Sequence, residues 1–173
     1  MIRKIEPYNI TIGPVDEYEA SLADNSSPRY DVVVSLRDVA PHFERGNFRH
    51  YWYPINEASD WGYGPFFWSK RILDFHTERS ERILVHCSAG VHRSPMIVLA
   101  WLLSLEVLKN GPTDVNLAAI NPLMGDDTVD LYSADVKKGR IPADLEKFFQ
   151  LMDENPSAGL TDCLEQLGRH RAR

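Results

Sequence analysis

The stretch from Arg82 to Leu108 constrains the fold more than any other. Arg82-Ile83-Leu84-Val85-His86-Cys87 is a short apolar run, the pattern of a strand covered on both faces. Ser94 to Leu108 is apolar nearly all round, so it reads as a helix buried in a core. Only Ser88-Ala89-Gly90-Val91-His92-Arg93 lies between them. A buried strand running through so short a turn into a buried helix begins a crossover connection. It predicts an α/β fold with a parallel sheet. Tyr30 to Leu36, with its run Val32-Val33-Val34, reads as a second buried strand. Asn9 to Gly13 is a short strand ended by Gly-Pro, and Phe48 to Ile55 is aromatic and β-prone. Helices are expected over Asp16 to Ala23, Pro65 to Thr77, Leu117 to Ile120 capped by Thr113, Asp126 to Lys138, Pro142 to Leu151 and Leu160 to Leu167. Asp24 to Arg29 carries turn chemistry. The expectation is one domain over residues 1–173: a central, mostly parallel sheet of four to five strands flanked by helices. Residues 160–173 form a helical tail whose end, Gly168 to Arg173, frays.

The bulk numbers narrow the class. A net charge of −6 argues against a nucleic-acid binder, which usually carries a basic stripe, and against non-specific attraction to anionic membrane. Two cysteines, Cys87 and Cys163, make no disulfide framework. The longest apolar stretch, Met96 to Leu103, is too short to span a bilayer, and the N-terminus has no signal-peptide run. The chain is therefore expected to be cytoplasmic, without a membrane anchor. His42, His50 and His76 stand at no metal-ligand spacing with a Cys or Asp, so neither a metal nor a cofactor is expected. Oligomeric state is not readable from the sequence.

The segment His86-Cys87-Ser88-Ala89-Gly90-Val91-His92-Arg93-Ser94 carries the chemistry. A thiol follows a buried strand, and a guanidinium opens the next helix. The loop between them can turn its N–H groups inward as an anion-binding nest, and the helix N-terminus adds partial positive charge. Gly90 gives the backbone room to bend. Arg93 offers a planar fork to two phosphate oxygens. The same surroundings favour thiolate over thiol at Cys87, so one cradle binds phosphate and prepares a nucleophile. Substrate contacts are expected from Ser88, Ala89, Gly90, Val91, His92 and Arg93, with His92 on the rim. His86 is read as structural support.

The run HCSAGVHRS resembles the signature of the protein tyrosine phosphatase superfamily, and its inner form is most similar to the dual-specificity phosphatases. The resemblance extends over roughly residues 5–152. It implies a phosphatase acting on phosphotyrosine in proteins, and also on phosphoserine or phosphothreonine, through a cysteinyl-phosphate on Cys87. It implies that Ser94 donates to the Cys87 sulfur and that a carboxylic acid from a preceding loop protonates the leaving oxygen. Two carboxylates, Glu57 and Asp60, lie in that loop. Counting from Pro54-Ile55 favours Glu57; counting back from Pro65 favours Asp60. The family's usual Asp, with Trp61 and Gly62 flanking it, makes Asp60 the first choice, Glu57 the alternative and Asp38 a distant third. Low-molecular-weight phosphatases carry their motif near the amino terminus, whereas here it lies mid-chain. Phosphoinositide phosphatases often have basic residues inside the loop, and this loop has Ser88, Ala89 and Val91. A catalytically dead binding domain fits poorly with Cys87 and Arg93 both present.

Overall fold

A computed structural model describes residues 2–23, 29–41, 48–110 and 117–172, without the side chains of 107–110 and 117–119. The Val-rich runs form neighbouring strands: β1 (Arg3–Ile5), β2 (Ile10–Gly13), β3 (Val32–Ser35), β4 (Arg49–Trp52) and β5 (Ile83–His86). They form one sheet in the order β1-β2-β5-β3-β4, parallel except for the β1–β2 pair. Strand β5 is central, with Gly13 of β2 and Ser35 of β3 both in register with its His86. The strand that leads into Cys87 thus ends level with both neighbours.

Alternation explains why the strands read as continuous apolar runs. Val32, Val34, Ile83 and Val85 point with Ile10 and Ile12 into the main core, whereas Val33 and Leu84 point with Tyr18 and Tyr30 into a smaller cluster. That second face is closed by α1 (Val15–Ala23), which carries Tyr18. The first is covered by α2 (Gly64–Thr77), α3 (Arg93–Asn110), α4 (Leu117–Met124), α5 (Asp126–Lys137), α6 (Leu145–Glu154) and α7 (Leu160–Arg171). Every residue from Met96 to Leu103 is buried, as an all-round apolar helix requires. No helix among the described residues is long and apolar enough to cross a membrane.

Several expectations are corrected at the ends of elements. β1 was not anticipated: it has three residues, and Ile5 is its one buried apolar side chain, so no period-2 signal exists. The sixth helix starts at Leu145 and not Pro142, because residues 142–144 form a turn closed by the Leu145 N–H on the Pro142 carbonyl, 3.3 Å. The last helix does not fray after Leu167. It continues to Arg171, whose guanidinium holds the Asp144 carboxylate (Nε–Oδ2 2.7 Å) and donates to the Tyr63 hydroxyl (2.6 Å). Cys163 and Leu167 on its inner face are buried in the main core. The Thr113 cap, His42 and most of the Asp24 to Arg29 turn lie outside the described residues.

Candidate active site

The loop from Cys87 to His92 leaves the carboxyl end of β5 and enters α3 at Arg93, the place where open α/β sheets bind ligands. Its shape is set by main chain. Gly90 has φ +70°, the left-handed region that favours glycine. A side chain there is excluded, since a Cβ would stand 2.6 Å from the Gly13 carbonyl carbon and 2.7 Å from Pro14 N. The Val15 N–H donates to the Ser88 carbonyl at 3.1 Å, a second tie between loop and β2–α1 junction.

Cys87 forms the floor, 2% exposed. Burial pushes its thiol pKa up, but the Ser94 hydroxyl and the backbone N–H groups of Ser94, Gly90 and His92 pull it down. The balance leaves it below the ordinary value. Ser94 Oγ donates to Cys87 Sγ at 3.3 Å, the contact expected of it. Arg93 is 5% exposed. Its Nη1 donates to the Ile55 carbonyl at 3.0 Å and the Leu36 carbonyl at 3.5 Å, and its Nη2 to Ser88 Oγ at 2.8 Å. These bonds hold the fork against the ends of β3 and the loop after β4. Arg93 Nε is buried and finds no acceptor among the described residues. A buried donor without a partner is rare, and a phosphate oxygen would satisfy it.

His86 lies behind the loop. Its Nε2 bonds Ser35 Oγ, its Nδ1 lies 3.4 Å from the Cys87 carbonyl, and its ring stacks on Tyr18 with centroids 4.8 Å apart. Ser35 Oγ also meets His50 Nε2 at 2.9 Å. Donation from Nδ1 to the carbonyl makes Nε2 the acceptor, so the Ser35 hydroxyl donates to His86 and accepts from His50. Burial holds both imidazoles near a pKa of about 4, with only the Cys87 carbonyl raising His86. Both ring nitrogens of His86 are thus engaged behind the loop.

The structure separates the two candidate acids. Glu57 reaches the cradle: Oε2 lies 3.9 Å from Arg93 Nη2, and Oε1 is 2.5 Å from His92 Nδ1. Asp60 is exposed and makes no hydrogen bond or ion pair among the described residues. The segment between them turns on its own polar groups, with the Ser59 N–H on the Asn56 carbonyl and the Ala58 N–H on Asn56 Oδ1. Trp61 then buries itself beside His92, ring centroids 5.4 Å apart, which leaves the preceding Asp60 outward. Asp38 stands 3.5 Å from Arg93 Nη1 with its side chain 68% exposed. Tyr63 is turned toward α6, where it packs on Phe148 and bonds Asp144.

The sequence reading missed Asp135 altogether. This side chain of α5 is fully buried, meets His92 Nε2 at 2.6 Å and Arg140 Nη1 at 3.3 Å. In a helical stretch with Asp126, Asp127, Asp130 and Asp135, the one sign of which carboxylate turns inward was the spacing of Asp135 from Thr128 and Tyr132, the helix's other buried residues.

Comparison with known proteins agrees with this site. Residues 16–110, more than half of the chain, match the family model of the dual specificity phosphatase catalytic domain. Tyrosine-protein phosphatase yvh1 of Schizosaccharomyces pombe is 27% identical over 103 residues, 59% of this chain but 30% of that protein, so the match spans less than a third of the relative's length. Among solved structures, DUSP15 is similar with a TM-score of 0.58 at 17% identity, covering 86% of this chain and 94% of that one. The Yvh1 phosphatase domain from Chaetomium thermophilum is similar with a TM-score of 0.53 at 19% identity, covering 92% and 99%. With that family model spanning more than half of the chain, the loop from Cys87 to Arg93 included, the chain belongs to the dual-specificity phosphatase family of protein phosphatases.

Proposed function

We propose that the chain hydrolyses phosphotyrosine in proteins, with phosphothreonine and phosphoserine as second substrates, through a cysteinyl-phosphate. The observation that carries this reading is a Cys87 thiol whose pKa is lowered by the Ser94 hydroxyl and the N–H groups of Gly90, His92 and Ser94, together with a buried Arg93 Nε that finds no acceptor among the described residues. The thiolate of Cys87 attacks phosphorus as the P–O bond to the leaving oxygen breaks. Arg93 and the loop N–H groups take up the charge on the equatorial oxygens. Water then attacks phosphorus, the P–S bond breaks, and Ser94 donates to the departing sulfur. None of these steps calls on a metal. A nucleophilic thiolate survives best in a reducing compartment, which supports a cytoplasmic setting. A phosphopeptide and phosphoinositide panel tests the substrate class. Phosphotyrosine peptides are expected to turn over fastest; phosphoinositides at least about tenfold faster than any phosphopeptide would refute it.

The leaving oxygen needs a proton, and in place of Asp60 we assign that role to Glu57. Its support is the position of the carboxylate, 3.9 Å from Arg93 Nη2 and bonded to His92, against the outward Asp60. A general acid is worth roughly 10²–10⁴-fold. With phenyl phosphate, Glu57→Gln is expected to slow kcat on that scale and erase the basic limb of the pH–rate profile, while Asp60→Asn keeps both. The reverse pattern would restore Asp60.

A further inference from the structure

His92 stands where the loop signature has no obvious need of an imidazole, and both of its ring nitrogens are occupied. Nδ1 meets Glu57 Oε1 at 2.5 Å and Nε2 meets Asp135 Oδ2 at 2.6 Å. The two carboxylates differ sharply. Glu57 is 53% exposed, on the loop after β4; Asp135 is fully buried on α5 and is held from its other oxygen by Arg140. A buried carboxylate needs fixed partners, so Asp135 sets where the imidazole sits, and the imidazole in turn sets where Glu57 sits. A second tie runs beside the first: the Trp61 N–H donates to the Arg140 carbonyl at 3.0 Å, and the Arg140 N–H to the Asp135 carbonyl at 3.0 Å. The acid loop is thereby fastened to the end of α5 at Glu57 and at Trp61. The groups facing His92 are Glu57, Asp135 with Arg140 behind it, the Trp61 ring, and Arg93 and Cys87 within the same loop.

Carboxylates only accept hydrogen bonds, and an imidazole with both nitrogens against carboxylates must donate from both or receive one proton from its partner. One proton therefore occupies the Nδ1–Oε1 contact, on either atom. We propose that His92 is a positioning residue for the acid: by bridging Glu57 to buried Asp135 it fixes the acid loop over the phosphate cradle and holds the proton that Glu57 delivers. In the first step the P–O bond breaks, its electron pair stays on the leaving oxygen, and that oxygen takes one proton from the Glu57–His92 pair. In the second step the attacking water returns one proton to the pair, which ends as it began. The inference rests on the reading of Glu57 as the acid.

The test compares phenyl phosphate, a poor leaving group, with 2,4-dinitrophenyl phosphate, a good one that needs little protonation. His92→Ala removes the bridge but keeps the loop N–H, and is expected to lower kcat about ten- to a hundredfold on phenyl phosphate, the scale of a misplaced catalytic group. On the dinitrophenyl ester the loss is expected to be about threefold, since that ester makes little use of the acid. Asp135→Asn gives the same split, and added imidazole partly restores His92→Ala on phenyl phosphate only. In a Glu57→Gln background, His92→Ala adds less than about twofold, because the acid it serves is gone. Equal losses on both esters, or full additivity in the double variant, would overturn the inference while leaving the role of Glu57 intact. If Glu57→Gln itself loses equally on both esters, the acid assignment falls first and this inference with it.

Discussion

Cys87→Ser is expected to lose turnover by at least about 10⁴-fold, the scale on which loss of an activated nucleophile registers, while still binding phosphate or vanadate. The two halves of that result come from different parts of the loop. A serine hydroxyl is not ionised in the field that lowers the Cys87 thiol, so nucleophilic attack stops. The donors proposed to hold the anion, the backbone N–H groups of Gly90, His92 and Ser94 and the guanidinium of Arg93, are not altered by the substitution. Titration calorimetry with inorganic phosphate beside a para-nitrophenyl phosphate assay, both in EDTA, measures the pair. Substantial activity in Cys87→Ser, or wild-type activity that vanishes in EDTA, would sink the covalent mechanism.

Arg93→Lys comes next, with an expected loss on the order of 10³–10⁵-fold, as for a guanidinium that stabilises phosphoryl-transfer charge. The argument is geometric. Arg93 places Nη1 on the Leu36 and Ile55 carbonyls and Nη2 on Ser88 Oγ, and leaves Nε buried without an acceptor among the described residues. A lysine has one nitrogen for all these acceptors and no planar edge to present to a phosphate. Either it serves the carbonyls and leaves the phosphate unbound, or it serves the phosphate and leaves buried carbonyls unpaired. Phosphate affinity should therefore fall in Arg93→Lys, in contrast to Cys87→Ser. An Arg93→Lys enzyme within about tenfold of wild type would show that the fork is not what grips the phosphoryl group.

Local chemistry made most of the site's centre legible in the sequence. The cradle occupies one short run, and the requirements of a strand, a tight turn and a helix N-terminus are all written in HCSAGVHRS. The contact of Ser94 with Cys87 was expected from the same run, and His86 lies behind the loop against Ser35. The sheet was legible because Val-rich strands buried on two faces leave an unambiguous pattern, whereas β1, with one inward side chain, left none. What the sequence hid was long-range. Choosing between Glu57 and Asp60 depends on which way a loop turns, and that is decided by Trp61 burying itself against His92 and by Asn56 closing the turn. Asp135 joins the site from 43 positions beyond His92, through a helix whose acidic residues look alike until the fold turns one inward. The anchoring of Arg171 to Asp144 and Tyr63 was concealed in the same way, since a basic terminus looks solvated when its partners lie far off in the chain.

The contact between Gly90 and Gly13 bears on how far such a chain can drift. Two stretches of main chain meet there with no space for a methyl group, and the Val15 N–H on the Ser88 carbonyl pins the loop a few residues away. The height of the phosphate cradle above the sheet is thus gauged by backbone against backbone. Side chains elsewhere in the core set the stability of the sheet but not that distance. Replacement of the surrounding apolar residues can accumulate for as long as β2 and β5 stay paired, and the reactive geometry is inherited unchanged through it. Glycine at position 90 acts as a spacer of zero thickness, and the freedom of the rest of the sequence to vary is bought by the lack of freedom at that one position.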